Sequence, residues 1–295
     1  LDGLPGGQTK ESFVYADITA TQLLERLDRG GEPFIVDVRE PEEFAEWAIP
    51  GALNVPLGQL AARGRELPRD REMVVVCASG NRSSQAAMAL ARAGLAVANL
   101  KGGMLAWGTV YDTAAATVGD TTVVQVRRRG KGCLSYIVGS GTQAFVIDPA
   151  IDIDHYIRLA GEHGWRITRV FDTHLHADHL SGARDLAEAA HAVLHLNPAD
   201  TFSFAYTPLA DGQRFELPGG SQLSVATLHT PGHTMGSTVY GLDDRVLFTG
   251  DTVFVDGVGR PDLAERAAEF ARNLYRSLHD RILTQPDDTL VLPGH

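Results

Sequence analysis

Apolar positions fall into two different rhythms along this chain. Up to about residue 110, short and mainly apolar runs at 34–38, 73–77 and 97–100 have the length of buried strands, while 20–29, 40–47, 57–64 and 83–93 between them are amphipathic at helical spacing. Strands that alternate with helices predict an α/β domain built on a parallel sheet. Further on, strand-like runs at 122–126, 133–138 and 143–148 come in succession before an amphipathic stretch at 153–164, and a second strand group precedes a helix near 264–280. Strands grouped in this way differ from the alternation of the first part. Between the two rhythms, 108–119 is rich in small residues and weakly periodic, so a joint is expected there, with domains over 1–112 and 119–295.

Composition is compatible with two cores: 44% of the 295 residues are hydrophobic. There is no internal repeat, no low-complexity tract and no run of 18 apolar residues, so no membrane span is expected. A formal net charge of −11 argues against a nucleic-acid binder. The one basic cluster, Arg127-Arg-Arg-Gly-Lys131, lies between strand-like runs and reads as a solvated hairpin turn. With only Cys77 and Cys133, a disulfide framework is improbable, and a reducing, cytoplasmic compartment is expected. Cys133 reads as a buried strand residue. The chain begins at Leu1 with no signal-peptide pattern and stops on His295, which fits a longer natural protein.

Chemistry concentrates in two places. In His174-Leu-His-Ala-Asp-His179, four imidazole or carboxylate groups occupy six positions directly after the apolar run 167–173. His174 and His176 leave a strand end two residues apart and are expected to point the same way, while Asp178 and His179 fall at the start of a helix-like segment. Three later apolar runs also end in a candidate ligand: 224–228 leads to His229-Thr-Pro-Gly-His233, 245–250 to Asp251, and 289–294 to His295. Glycine and proline beside these residues favour sharp turns that aim side chains inward. Neutral imidazole and carboxylate suit zinc or iron; one metal would leave some of the set as supporting partners, and two would use nearly all of it.

The other place is Cys77-Ala-Ser-Gly-Asn-Arg-Ser83, where a buried strand ends in a cysteine and a helix is expected about six residues later. Such a loop gathers backbone N–H groups around the sulfur. The helix N-terminus and Arg82 both favour negative charge there, so the thiol is expected to be acidic and nucleophilic.

The His-x-His-x-Asp-His run, Pro-Gly-His233, Thr-Gly-Asp251 and the closing Pro-Gly-His295 together resemble the metallo-β-lactamase superfamily over 120–295. That resemblance implies an αββα sandwich with metal at one edge. The first part resembles a rhodanese domain through Asp37-Val-Arg39-Glu, Ile49-Pro-Gly51-Ala-Leu-Asn-Val-Pro56, the Cys77 loop and Lys101-Gly-Gly-Met-Leu-Ala-Trp107; Trp47-Ala48 stands where that family often has Gly-His. A rhodanese cysteine accepts a sulfane sulfur as a persulfide, which implies catalytic roles for Cys77 and Arg82 and a substrate cradle from Ala78, Ser79, Gly80, Asn81 and Ser83.

Within the superfamily, the persulfide dioxygenase and glyoxalase II branches share much of this ligand pattern. Matching to the dioxygenases implies one ferrous iron on His174, His233 and Asp251, with His176, Asp178, His179 and His295 orienting them or completing a second metal site. Asp256-Gly-Val-Gly-Arg-Pro-Asp262 resembles a dioxygenase element whose arginine holds the thiol cofactor, which implies that role for Arg260. The expected function is therefore persulfide dioxygenase fused to sulfurtransferase, with glutathione or another low-molecular-weight thiol as co-substrate and thiols, persulfides and thiosulfate as partners. A homo-oligomer is compatible with this reading. The alternatives are a binuclear zinc thioester hydrolase of the glyoxalase II type, and a non-catalytic sulfur carrier or sensor. Glyoxalase II enzymes are expected to add a helical C-terminal segment, and the sequence stops before one.

Overall fold

The computed structural model describes residues 15–31, 33–177, 180–218, 222–224, 229–263 and 266–295. The chain divides into two compact units, one comprising 1–110 with 129–131 and the other 111–128 with 132–295.

The first unit is a five-stranded parallel sheet. Its strands are β1 (Ala16–Ile18), β2 (Phe34–Asp37), β3 (Leu53–Asn54), β4 (Met73–Val76) and β5 (Val97–Leu100), in the order β1-β5-β4-β2-β3. The helices α1 (Ala20–Asp28), α2 (Pro41–Glu46), α3 (Leu60–Arg63), α4 (Asn81–Arg92) and α5 (Gly103–Trp107) connect them. Local signals explain the helix starts: Thr19 and Gln22 form a reciprocal capping box on α1, and Pro41 opens α2. β4 is buried along its whole length because both faces of the sheet are covered. Met73 and Val75 pack into one core with Leu90 and Val36, and Val74 and Val76 into another with Leu23 and Trp107.

The second unit contains two facing sheets. The larger one orders β6 (Tyr111–Val118), β7 (Thr121–Arg128), β8 (Leu134–Ser140), β9 (Gln143–Ile147), β10 (Arg166–Phe171), β11 (Val193–Leu196) and β12 (Thr207–Pro208) as β12-β11-β10-β9-β8-β7-β6. The smaller runs β13 (Arg214–Glu216), β14 (Gln222–Ser224), β15 (Tyr240–Leu242), β16 (Val246–Gly250) and β17 (Leu290–Pro293) in sequence order. Phe145, Phe171, Phe215, Tyr240 and Phe248 fill the space between the sheets. The helices α6 (Ile153–Glu162) and α7 (Ala183–Ala189) cover the outer face of the larger sheet, and α8 (Ala267–Ser277) continues into a π-helical turn over Leu278–Ile282, where Ile282 packs on Leu247. This is the αββα sandwich. Among the described residues, no helix is long and apolar enough to cross a membrane.

Two readings need correction. The stretch 111–118, within the expected joint, is a full strand paired with β7 from Tyr111–Arg128 to Val118–Thr121. It forms the sheet edge and exposes most of its residues, so no apolar alternation marked it in the sequence. The cluster 127–131 is a hairpin turn between β7 and β8, but it is not simply solvated. Arg127 is bound to Asp112 at 2.6 Å, and 129–131 group with the first unit. Of the run 224–228, only Ser224 lies within the described residues. Cys77 and Cys133 are both buried, and neither is in a disulfide.

Candidate metal centre and cysteine loop

Parallel pairing brings the metal-ligand candidates to one end of the sandwich. β9 and β10 run side by side, as do β16 and β17. Asp148 follows β9, residues 172–176 follow β10, Asp251 follows β16 and His295 closes the chain beyond β17. His233 reaches the same place on the turn after His229. Gly250 makes the approach to Asp251 possible: its φ is +48°, and a Cβ there would lie 2.2 Å from Thr173 Oγ1.

His174, His233 and Asp251 converge, with one donor atom from each lying within 4.8 Å of the others. Asp251 Oδ2 is 3.6 Å from His233 Nε2 and 3.9 Å from His174 Nε2. Bond lengths of about 2.0–2.2 Å need donors roughly 3–4 Å apart, so the set fits a divalent transition metal. The far nitrogens are held so that Nε2 carries the lone pair. His233 Nδ1 lies 3.1 Å from the Arg260 carbonyl, which only accepts, so the proton sits on Nδ1. Thr173 Oγ1 donates to Asp148 Oδ2 at 2.8 Å and therefore turns a lone pair to His174 Nδ1 at 2.9 Å. His295 Nδ1 donates to Asp251 Oδ1 at 2.9 Å, which places it behind the carboxylate.

The His176 ring lies 4.1 Å from that of His174, but its Nε2 sits 3.2 Å from Asp148 Oδ1 and 3.8 Å from Asp172 Oδ1, so these three form a second group of donors that could hold a metal. The strand ends at Phe171, and the intervening loop no longer alternates side chains as a strand does. Asp178 and His179 lie outside the described residues. Arg260 is exposed, and its guanidinium is bound to Asp262 at 2.7 Å; its carbonyl, not its charge, touches the metal candidates.

Sequence reasoning missed three supports. Asp148 adopts φ +52° and accepts the Thr173 N–H at 2.6 Å as well as the Thr173 hydroxyl and His176. Asp200 ties the two ligand loops together, accepting from Leu175 N, Thr234 Oγ1 and Gly236 N. Asp172 is gripped by Ser181 Oγ. Asp148 carried a signal, an acid closing the apolar run 143–148; Asp200 carried none.

In the first unit, Cys77 follows β4 and α4 starts at Asn81, two residues before its expected position. Burial pushes the Cys77 thiol up, but the Ser83 hydroxyl and the N–H groups of Ser83, Ser79 and Gly80 outweigh it and leave the thiol below its ordinary value. Gly80 N donates to Sγ at 3.1 Å. α5 braces the loop, with Met104 N and Leu105 N donating to the carbonyls of Cys77 and Ala78. Gly103 allows that contact, since a Cβ there would stand 2.1 Å from the Cys77 carbonyl oxygen. Arg82 makes a two-pronged ion pair with Glu43 at 2.7 Å on each prong, and Arg82 holds the Glu43 carboxyl down at about 2. Its charge is therefore largely compensated rather than turned on the sulfur alone. Ala78 and Ser79 lie in the loop, and Asn81 opens α4.

Residues 128–295 match the metallo-beta-lactamase superfamily, and residues 19–109 match the rhodanese-like domain. The chain belongs to the metallo-beta-lactamase superfamily and carries a rhodanese-like domain in front of it. The mitochondrial persulfide dioxygenase ETHE1 of Mus musculus is 31% identical over 173 residues, covering 56% of this chain and 65% of the relative. The hydroxyacylglutathione hydrolase of Methylobacillus flagellatus is 36% identical over 152 residues, or 52% of this chain and 57% of the hydrolase. Among solved structures, ETHE1 from Myxococcus xanthus aligns with a TM-score of 0.51 at 32% identity, covering 62% of this chain and 75% of that one. The chain thus spans less than two thirds of the two named enzymes' lengths and three quarters of the bacterial structure's.

Proposed function

We propose that the chain is an enzyme of sulfane-sulfur metabolism with two chemical centres, a sulfurtransferase at Cys77 and a persulfide dioxygenase at His174, His233 and Asp251. At the first, the Cys77 thiolate attacks the outer sulfur of a donor such as thiosulfate. A bond forms to Sγ, the donor's S–S bond breaks, and sulfite leaves with the electron pair, so that Cys77 carries a persulfide anion. Before the attack, the loop N–H groups and the Ser83 hydroxyl face the thiolate charge on Sγ. Glutathione or an equivalent thiol then accepts the sulfur.

At the second centre, the thiol's persulfide, dioxygen and water yield the thiol, sulfite and two protons. A ferrous ion on the two imidazoles and one carboxylate would supply the oxygen chemistry, with positions left for substrate sulfur. Thr173 and Arg260 keep each His proton on Nδ1, and His295 steadies Asp251. Arg260 stands beside His233, where the thiol carrier would approach.

One observation carries the reading of an iron site: His174, His233 and Asp251 bring two imidazoles and one carboxylate together. Asp148, Asp172 and His176 form a second group that could hold a metal, so the number of ions per chain separates this reading from the next. The similarity to persulfide dioxygenases supports the substrate class. Protein purified without oxygen is expected to hold about one iron per chain and to consume dioxygen with glutathione persulfide, releasing sulfite. Thioester hydrolysis is the second reading, favoured by the hydrolase relative. Paired zinc, thioester cleavage and no oxygen uptake would establish it in place of the first.

A further inference from the structure

Behind Cys77 runs a chain of polar side chains that crosses the sheet edge. Ser83 Oγ, fully buried, lies 3.3 Å from Cys77 Sγ, 3.2 Å from the Gly80 carbonyl and 2.7 Å from Asn99 Oδ1. Asn99, on β5 and only 5% exposed, donates through Nδ2 to Asp17 Oδ1 at 2.8 Å. Asp17 is its register partner on β1. A carboxylate only accepts, so Asp17 settles which way the Asn99 amide faces and turns its carbonyl oxygen to Ser83.

Ser83 has one proton and three acceptors within reach. In the thiol state the shortest bond, to Asn99, takes that proton, and the Ser83 oxygen can accept the S–H. When the thiol ionises, the hydroxyl must swing to Sγ and give up Asn99. In a persulfide the charge sits on the outer sulfur, Sγ is neutral again, and the hydroxyl can return. We propose that Asn99 and Asp17 are positioning residues that compete with the Cys77 thiolate for the Ser83 proton, and thereby favour the persulfide over the bare thiolate. The inference rests on the reading of Cys77 as the sulfur acceptor. The other charged groups around the loop are Arg82 with Glu43 and Glu40, the Asp37–Arg39 pair at the end of β2, and Lys101 after β5.

The test is the pH dependence of Cys77 alkylation by iodoacetamide in the full chain, on a Cys133→Ser background. Asn99→Leu leaves every charge in place and is expected to lower the midpoint, giving about three- to tenfold more thiolate at a fixed acidic pH, the worth of one hydrogen bond. Asp17→Asn should act in the same direction, and its effect should survive about 0.5 M salt, which screens a pure charge effect. The double exchange Asp17→Asn with Asn99→Asp restores an acceptor for Ser83 and should return the midpoint to the wild-type value or above. An unchanged or raised midpoint in Asn99→Leu overturns the proposal, as does an exchange that stays with the single variants. Should Asn99→Leu fail to fold, Asp17→Asn, isosteric and exposed, decides the question by the same measurement at high salt. Cyanolysis after thiosulfate loading adds a second readout, with several-fold less persulfide at a given sulfite level expected in Asn99→Leu. A wild-type protein that never loads sulfur refutes the acceptor reading, while the alkylation midpoints still judge the relay.

Discussion

His195 is an ionisable side chain enclosed by aromatic rings. Only 5% exposed, it stacks on Phe171 at 5.2 Å and meets Phe215 in a tilted contact at 4.7 Å, and neither ring nitrogen has a hydrogen-bond partner among the described residues. Burial, with Arg169 adding to it, pushes its pKa down from 6.5 to about 4. The folded state therefore refuses a proton that the unfolded chain accepts below about pH 6.5, so stability falls as pH drops from there towards 4, by at most about 3 kcal/mol. His195→Phe should remove most of that loss, as read from urea unfolding at about pH 7 and about pH 4.5; an equal loss in both proteins would clear His195 of the effect. Asp148 is the other decisive residue, because one carboxylate holds Thr173 and His176 together. Asp148→Ala should weaken metal binding about 10- to 100-fold, as measured by competition with a chelator, since it frees the side chain that aims His174.

Strand ends make both sites. The candidate metal ligands sit beyond β10, β16 and β17, and Cys77 sits just beyond β4, where the ladder stops constraining the backbone and turns can redirect side chains. Gly250 makes one such tight turn just ahead of Asp251. Gly250→Ala combines a left-handed backbone with a clash on Thr173, and should cost about 2 kcal/mol or more in denaturant unfolding. Metal content should fall with it, because Thr173 would shift off His174. The short helix α5 plays the corresponding part for the cysteine loop through its two N–H bonds.

In the whole molecule, the two proposed centres occupy separate compact units with separate cores. Cys77→Ser should abolish sulfur transfer from thiosulfate and leave persulfide-dependent oxygen uptake intact. Asp251→Ala should do the reverse and also remove the metal. Loss of both activities in either variant would refute independent centres.

Periodicity was enough to read the three inner strands of the first unit's parallel sheet but not its short edge strands β1 and β3, and it sufficed for the strand groups and helices of the second unit and the apolar runs that end in Cys77, His174, Asp251 and His295. Those features follow from local spacing, because a buried strand must be apolar and a turn must carry its own residues. The edge strand β6 escaped, since an exposed strand of small residues has no apolar rhythm. The partition of ligands was also out of reach. Which acid meets His176, which carbonyl fixes His233 and which carboxylate compensates Arg82 depend on residues 27–39 positions away in the chain. Such partners leave no periodic trace in the sequence. Only the packing of one strand end against another brought them within hydrogen-bond distance, and that packing decided the direction of each side chain.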